Sequence, residues 1–337
     1  MGKLRGEILD GNFDAVIFDE CHRLKTPGGK ASLFASHLCK RIPKRLGLSG
    51  TPMPHSPRDI YAQGRAIAPD VFGKSKIAFE LQYCVKGGFG NYQILDYKNQ
   101  DDFKRKLDSF CFRVTKEEAL DLPEEVHVTL PFHMEGEIKD IYKQLERDFY
   151  IQLENGEVTA SNALVKLLRL QQITSGFVKD DNGNEIIIGD GKVRLLLSLL
   201  SDIPSTTPVV VFCRFKKDLS IVRDVAGKTG RKHGEVSGSF NDLNPDATMP
   251  ANINLLGVQM QSGGVGIDLS RAHIAVFYSV TLSRGEYEQC LSRLHRPPQI
   301  NKVTFYHLVA RQSVDEKIYR AFERGRDVIE AILNREV

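Results

Sequence analysis

The 337-residue chain has no tryptophan and only five methionines, and its six cysteines are scattered with no C-x-x-C pair. Zinc ribbons and redox dithiols need thiols close in sequence, so neither is expected, and the cysteines read as reduced thiols. Without Trp or a basic segment interleaved with aromatics, the chain lacks the stacking platform on which single-strand binders hold bases. No apolar run approaches the ~20 residues that span a bilayer, and the opening stretch MGKLRGEILDGNFD has no signal-peptide core. A cytoplasmic protein with no membrane partner is expected. Excess charge of one sign is also missing, since 46 Lys and Arg face 43 Asp and Glu for a net +3. That balance neither demands nor excludes nucleic acid, which needs only a local basic track. No short repeat is visible, and 14 Pro, 28 Gly, 41% hydrophobic and 26% charged residues describe an ordinary folded chain. The length suits two domains.

What is present is an α/β rhythm. Ala15 to Phe18, AVIF, reads as a buried strand ending in the acids Asp19-Glu20, and Arg45 to Ser49 reads as a second strand ending at Gly50-Thr51-Pro52. Helical spacing around Ala31 to Cys39 joins them. Asp59 to Arg113 looks irregular, an insertion or helical protrusion with a Gly-rich stretch at Gly87–Gly90 and a charged helix near Asp101 to Phe110. Val126 to Phe132 alternates like a strand, and helices are expected over Glu137 to Leu153 and Ala160 to Ile173. The rhythm then resumes with strands at Val209 to Phe212, Ile253 to Val258, Ile274 to Tyr278 and Val303 to Leu308. Helices are expected over Val193 to Leu200, Asp218 to Ala226, Arg284 to Leu294 and Asp315 to Leu333. In parallel α/β sheets ligands bind beyond the carboxyl ends of the strands, so the polar tips are the places to look for chemistry.

At the first tip, paired acids after an apolar strand are an arrangement that holds Mg²⁺ through Asp19, while Glu20 orients or deprotonates an attacking water. Two acids after a strand also serve as a helix cap or a solvated turn. Gln289, Arg293 and Arg296 stand at i, i+4 and i+7 and share one face of a helix, where two guanidiniums can neutralise charge developing in phosphoryl transfer. The same spacing also fits a solvated basic helix end before Pro297-Pro298. Gly263-Gly264-Val265-Gly266 offers small residues that let backbone N–H groups approach a phosphate, as well as an ordinary turn. Arg214, Lys216 and Lys217 follow one strand, and Arg41, Lys44 and Arg45 lie near another; each cluster suits phosphate contact or a solvated face.

Taken in order, these segments resemble the superfamily 2 helicases, and among them the SNF2-like translocases. Asp19-Glu20-Cys21-His22 is similar to motif II, Leu48-Ser49-Gly50-Thr51-Pro52 to motif III, and Val210-Val211-Phe212 to motif IV. Ser262 to Leu269 is similar to motif V, and Gln289, Arg293, His295, Arg296 and Gln299 to motif VI. Asp121-Leu122-Pro123, Ile141-Tyr142 and Leu168 to Gln172 resemble the linker region. The resemblance implies RecA-like parallel sheets with helical insertions, ATP and Mg²⁺ as cofactors, and DNA as the partner, held by its sugar-phosphate backbone with little sequence preference. It implies catalytic roles for Asp19, Glu20, Arg293 and Arg296, with Gly266, Asp268 and Gln289 also at the nucleotide. Many members carry Asn where this chain has Asp268. His22, Ser49 and Thr51 are expected to couple nucleotide state to movement, and Arg214, Lys216, Gln261 and Ser262 to meet nucleic acid. The compact linker suggests a prokaryotic or phage member.

One element of that family is missing. The pattern G-x-x-x-x-G-K-[ST] should precede motif II by a long stretch, yet only 18 residues precede Asp19. Gly227-Lys228-Thr229 and Gly29-Lys30 lack the first glycine and do not follow a strand as required. The sequence therefore predicts a partial RecA-like domain over 1–112 and a complete one over 113–337. It also predicts that the chain is a fragment or truncated reading frame of a motor core, deficient in ATP hydrolysis by itself, with a chain that supplies the phosphate-binding half as a candidate partner. The competing expectation is a non-catalytic nucleic-acid-binding or regulatory module on a helicase fold, against which the retained acids and arginines argue.

Overall fold

The structure, a computed structural model, describes residues 2–50, 52–53, 56–87, 93–154, 160–180, 183–262, 266–325 and 328–333. Thr51, Gly88 to Gly90 and Gly263 to Val265 lie outside the described residues. The chain forms two compact units, Met1–Thr115 and Lys116–Val337, dividing three residues beyond the boundary expected from sequence.

In the first unit, α1 (Gly2–Asp10) leads to β1 (Ala15–Phe18), and α2 (Lys30–Leu38) connects β1 to β2 (Lys44–Gly47). The strands pair in parallel with Ile17 opposite Leu46 and Phe18 opposite Gly47. Their alternation sorts the side chains onto two faces. Val16 and Phe18 pack against Leu24, Ala35, Cys39 and Ala66, a small core under α2 and α3 (Asp59–Ile67). Gly47 sits at a close approach, where a Cβ would displace Ile67 Cδ1, 2.3 Å away, and crowd Cys21 Cβ at 3.2 Å. On the other face Ile17 is 64%, Leu46 50% and Leu48 47% exposed.

The segment expected as an irregular insertion or helical protrusion is ordered in its described residues, and it carries the charged helix expected near Asp101 to Phe110. It contains α3, α4 (Pro69–Phe72), α5 (Lys76–Tyr83), the antiparallel hairpin of β3 (Cys84–Gly87) and β4 (Gln93–Tyr97), and α6 (Gln100–Asp108). An aromatic cluster holds it together. Phe72 stacks on Phe103 at 5.4 Å and meets Phe79, Tyr83 and Phe110 edge-on. Helices this short present no long apolar stripe, and paired rings supply the burial that periodicity does not advertise.

The second unit, after α7 (Lys116–Ala119), is built on a six-stranded sheet. The strands are β5 (Glu125–Phe132), β8 (Val209–Cys213), β9 (His233–Val236), β10 (Leu255–Gln259), β11 (Ile274–Phe277) and β12 (Val303–Ala310), in the order β5-β12-β11-β8-β10-β9. Every pairing is parallel. Both faces are covered, as a parallel sheet requires. Val210, Phe212, Ala275, Phe277 and Phe305 pack toward α8 (Glu137–Glu154), α9 (Ala160–Thr174), α12 (Arg284–Leu294), α13 (Val314–Glu323) and α14 (Val328–Leu333). Val209, Val211, Leu255 and Val276 pack toward α10 (Gly191–Ser201) and α11 (Lys216–Lys228). A small hairpin of β6 (Phe177–Lys179) and β7 (Glu185–Ile187) precedes α10.

Three expectations are corrected. The single helix over Asp315 to Leu333 is two, separated around Gly325 at φ 66°. The edge strand β9, HGEV, was not expected because two of its four residues are polar and one is glycine. And α12 stops at Leu294, so Gln289 and Arg293 lie on it but Arg296 does not. The residue before a proline is pushed out of the helical region, and Arg296 precedes Pro297.

Candidate functional site

At the tip of β1 the backbone turns sharply. Glu20 is left-handed at φ 51° and ψ 50°, a conformation unusual for a residue with a side chain and often kept at sites of function. The turn is held by its own carboxylate neighbour, because the Glu20 N–H donates to Asp19 Oδ1 at 2.9 Å. Asp19 is exposed and Glu20 half-buried.

The two strand tips of this unit are tied to each other. Leu48 N–H donates to Phe18 O and Cys21 N–H to Leu48 O, each at 2.9 Å. His22 Nδ1 lies 3.0 Å from Ser49 Oγ and 3.1 Å from Glu20 Oε2. Burial holds the His22 imidazole below its ordinary value, with Glu20 pulling the other way. Gln63, buried on α3, makes a further tie. Its Oε1 accepts from the Cys21 thiol at 3.4 Å, and its Nε2 donates to Pro52 O at 2.6 Å and Asp59 O at 2.8 Å. The structure thus brings together Glu20, His22 and Ser49. Gln63 was not singled out in the sequence, where a lone glutamine among apolar helix residues carries no signal.

The second unit assembles its own set. Leu269 N–H donates to Arg293 O at 3.0 Å, joining the Gly266–Asp268 segment to the end of α12. Gln299 Nε2 donates to Ser270 O at 2.9 Å and Ala272 O at 3.0 Å, fixing the segment after α12 to the same place. Gly266 adopts φ 58°. Asp268 Oδ1 accepts from Ser270 N–H at 2.8 Å, so one of its oxygens closes a local turn. Gln289 and Arg296 are part-exposed, as is Arg293.

Glu125, at the start of β5, was also missed. Its two oxygens lie 2.7 Å from His295 Nδ1 and 2.7 Å from His127 Nε2, and His295 Nε2 lies 2.8 Å from Pro123 O. His127 Nδ1 in turn lies 3.0 Å from His307 Nε2. Burial pushes the His307 imidazole down to about 3, which keeps it neutral. The histidine between the two arginines is therefore clamped to the edge of the sheet. An acid 170 residues away in sequence gives no warning of that contact.

The expected nucleic-acid residues are divided. Lys216 and Gln261 are exposed and Ser262 half-buried, with Ser262 N–H donating to Gln259 O at 2.9 Å. Arg214 is mostly buried, its N–H donating to Ser279 Oγ at 2.7 Å, and burial lowers its guanidinium below the ordinary value.

Residues 3–176 match the SNF2-related domain family, and residues 191–298 match the helicase conserved C-terminal domain. Among similar proteins, one from Acyrthosiphon pisum secondary endosymbiont phage 1 is 24% identical over 342 residues, which cover 95% of this chain and 72% of that protein. An uncharacterized ATP-dependent helicase of Mycoplasma genitalium is 21% identical over 98% of this chain, and the chain spans 32% of its length. The mouse chromodomain-helicase-DNA-binding protein 1-like is 25% identical over 92% of this chain, which spans 35% of its length. Among solved structures, the SWI2/SNF2 ATPase core of Sulfolobus solfataricus in complex with double-stranded DNA is 18% identical, with a TM-score of 0.47. That likeness covers 98% of this chain and 72% of the archaeal one.

Proposed function

Because this chain belongs to the SNF2-related domain family, we propose that it is the motor core of a DNA-dependent ATPase of the helicase and translocase class. The observation that carries this reading is the tie between the two strand tips of the first unit, where His22 joins the Glu20 carboxylate to Ser49 at 3.1 and 3.0 Å. A structural turn needs no such link; a motor that must pass the state of its nucleotide to another segment does.

The donor set fits Mg²⁺. Asp19 offers a hard carboxylate oxygen, and among the described residues no three His, Cys, Asp or Glu gather into a protein cage. Such an ion rests on one or two carboxylates, water and phosphate oxygens. Bound ATP supplies the phosphoanhydride whose terminal phosphoryl group passes to water. Glu20 orients that water and accepts its proton, and Arg293 and Arg296 neutralise the charge that grows on the phosphoryl oxygens. Ser49 and Thr51 pass the change onward. Lys216, Gln261 and Ser262 meet the DNA backbone, a contact without sequence preference.

These 337 residues contain no G-x-x-x-x-G-K-[ST], and we propose that polypeptide outside them, carrying the phosphate-binding loop, covers the Ile17, Leu46 and Leu48 face. Parallel sheets are ordinarily buried on both faces, and those three apolar side chains are at least 47% exposed, which supports that placement. The test is steady-state ATP hydrolysis with duplex DNA. The 337-residue chain alone is expected to turn over at background, and adding a polypeptide that carries the loop is expected to produce DNA-stimulated turnover that Glu20→Gln or Arg293→Ala removes. Robust turnover by the chain alone, lost in Glu20→Gln, would refute the divided site while keeping the motor. No turnover in either form, with no DNA binding, would refute the motor.

A further inference from the structure

Gln63 is 1% exposed, and its amide bonds Cys21 just after the acidic tip, Pro52 in a second segment, and Asp59 of its own helix. A buried primary amide is costly unless its groups are paired, so its retention in the interior of α3 needs a reason. Its oxygen faces the thiol of Cys21, the residue directly after Glu20, at 3.4 Å. Its nitrogen faces the carbonyl of Pro52, the residue directly after Thr51, at 2.6 Å, and the α3 carbonyl of Asp59 at 2.8 Å. An amide oxygen can only accept, so the Cys21 S–H is the donor in this pairing.

We propose that Gln63 is a positioning residue that holds Pro52, and through it Ser49, at a fixed place relative to the Asp19-Glu20 tip. The proposal rests on the reading that those two segments work together. Backbone bonds already join Cys21 to Leu48, and the His22–Ser49 contact adds a second link. Without a third point the segment can pivot about them. Gln63 supplies that point from a helix, which is stiffer than either loop, and it reaches both segments with one side chain. Cys21 and Gln63 act as a matched pair: an apolar residue at either position leaves the other's polar group buried without a partner.

The test is a double-mutant cycle on the whole chain, read as the urea unfolding equilibrium of the first unit without nucleotide or DNA. Gln63→Leu fills the same space and removes every bond to Cys21 and Pro52. Ser49→Ala removes the hydroxyl that meets His22. Among the described residues no hydrogen bond joins Gln63 to Ser49, so a glutamine that only fills space gives independent effects. If Gln63 holds the segment, Ser49 loses its fixed position in Gln63→Leu. Ser49→Ala should then raise the unfolding equilibrium constant by a factor at least threefold smaller in that background than in the wild type. A difference below threefold overturns the proposal. Should Gln63→Leu fail to fold, Gln63→Asn, one methylene too short to reach Pro52, is read by the same cycle with the same threshold. The readout needs no catalysis, so it stands or falls separately from the assignment of ATP hydrolysis.

Discussion

Every residue of β8 in the second unit is buried, whereas β1 and β2 in the first unit alternate between half-buried and exposed positions. Both sheets are parallel. The second has helices on both faces, with Phe212 facing one layer and Val211 the other. The first has one covered face and one open face. The difference separates stability from chemistry: the second unit carries its arginines on a finished scaffold, while the first carries its acidic pair on a sheet with apolar side chains still in water. Its tips are held instead by polar ties through His22, Ser49 and Gln63.

The comparison breaks most visibly in the core. Phe212, fully buried and stacked on Phe277 at 5.0 Å, should cost about 3–5 kcal/mol when cut to alanine, read by urea unfolding of the second unit. Lys192 and Asp315 form a buried ion pair at 2.8 Å. Lys192→Met strands the carboxylate and should cost about 3 kcal/mol, with Thr174 Oγ1 and Ala310 N–H as its remaining donors.

A pH profile sharpens the contrast further. Burial lifts the carboxyl of Asp218 from 3.8 to about 6, with the Ser279 hydroxyl and the Phe215 N–H opposing the rise. Between those values the folded state binds a proton that the unfolded state has released. This group's contribution to stability is therefore fully present below about pH 4, declines as pH rises, and is lost above about pH 6. Asp218→Asn should flatten that part of the second unit's profile and leave the first unit's unchanged. The smallest effect is expected at the open face: Ile17→Ala should change stability by about 0.5 kcal/mol or less in the chain alone, because that side chain has little contact to lose.

Much of this was legible in the sequence. The strands AVIF and VVVF announce themselves as apolar runs ended by polar residues, and the order of DECH, SGTP and the arginine segment identified the family before any contact was known. Less legible were features that depend on residues far apart. The aromatic cluster around Phe72 draws rings from several short segments, of which only the charged helix near Asp101 to Phe110 is expected from spacing. Glu125 meets His295 only after β5 has paired beside β12. Arg296 was assigned to the α12 face by spacing alone, and the proline that follows it decided otherwise. Gln63 carries no signal in the sequence, because its partners at Cys21 and Pro52 meet it only once α3 has packed.

The most direct measurement is amide hydrogen exchange on the 337-residue chain, comparing Ile17 and Leu46 with Val210 and Val276. An open first sheet predicts exchange at Ile17 and Leu46 faster by about a hundredfold or more, slowing when a polypeptide bearing the phosphate-binding loop is added. Equal protection in the chain alone would mean that the first sheet needs no further layer, and would contradict the division of the site.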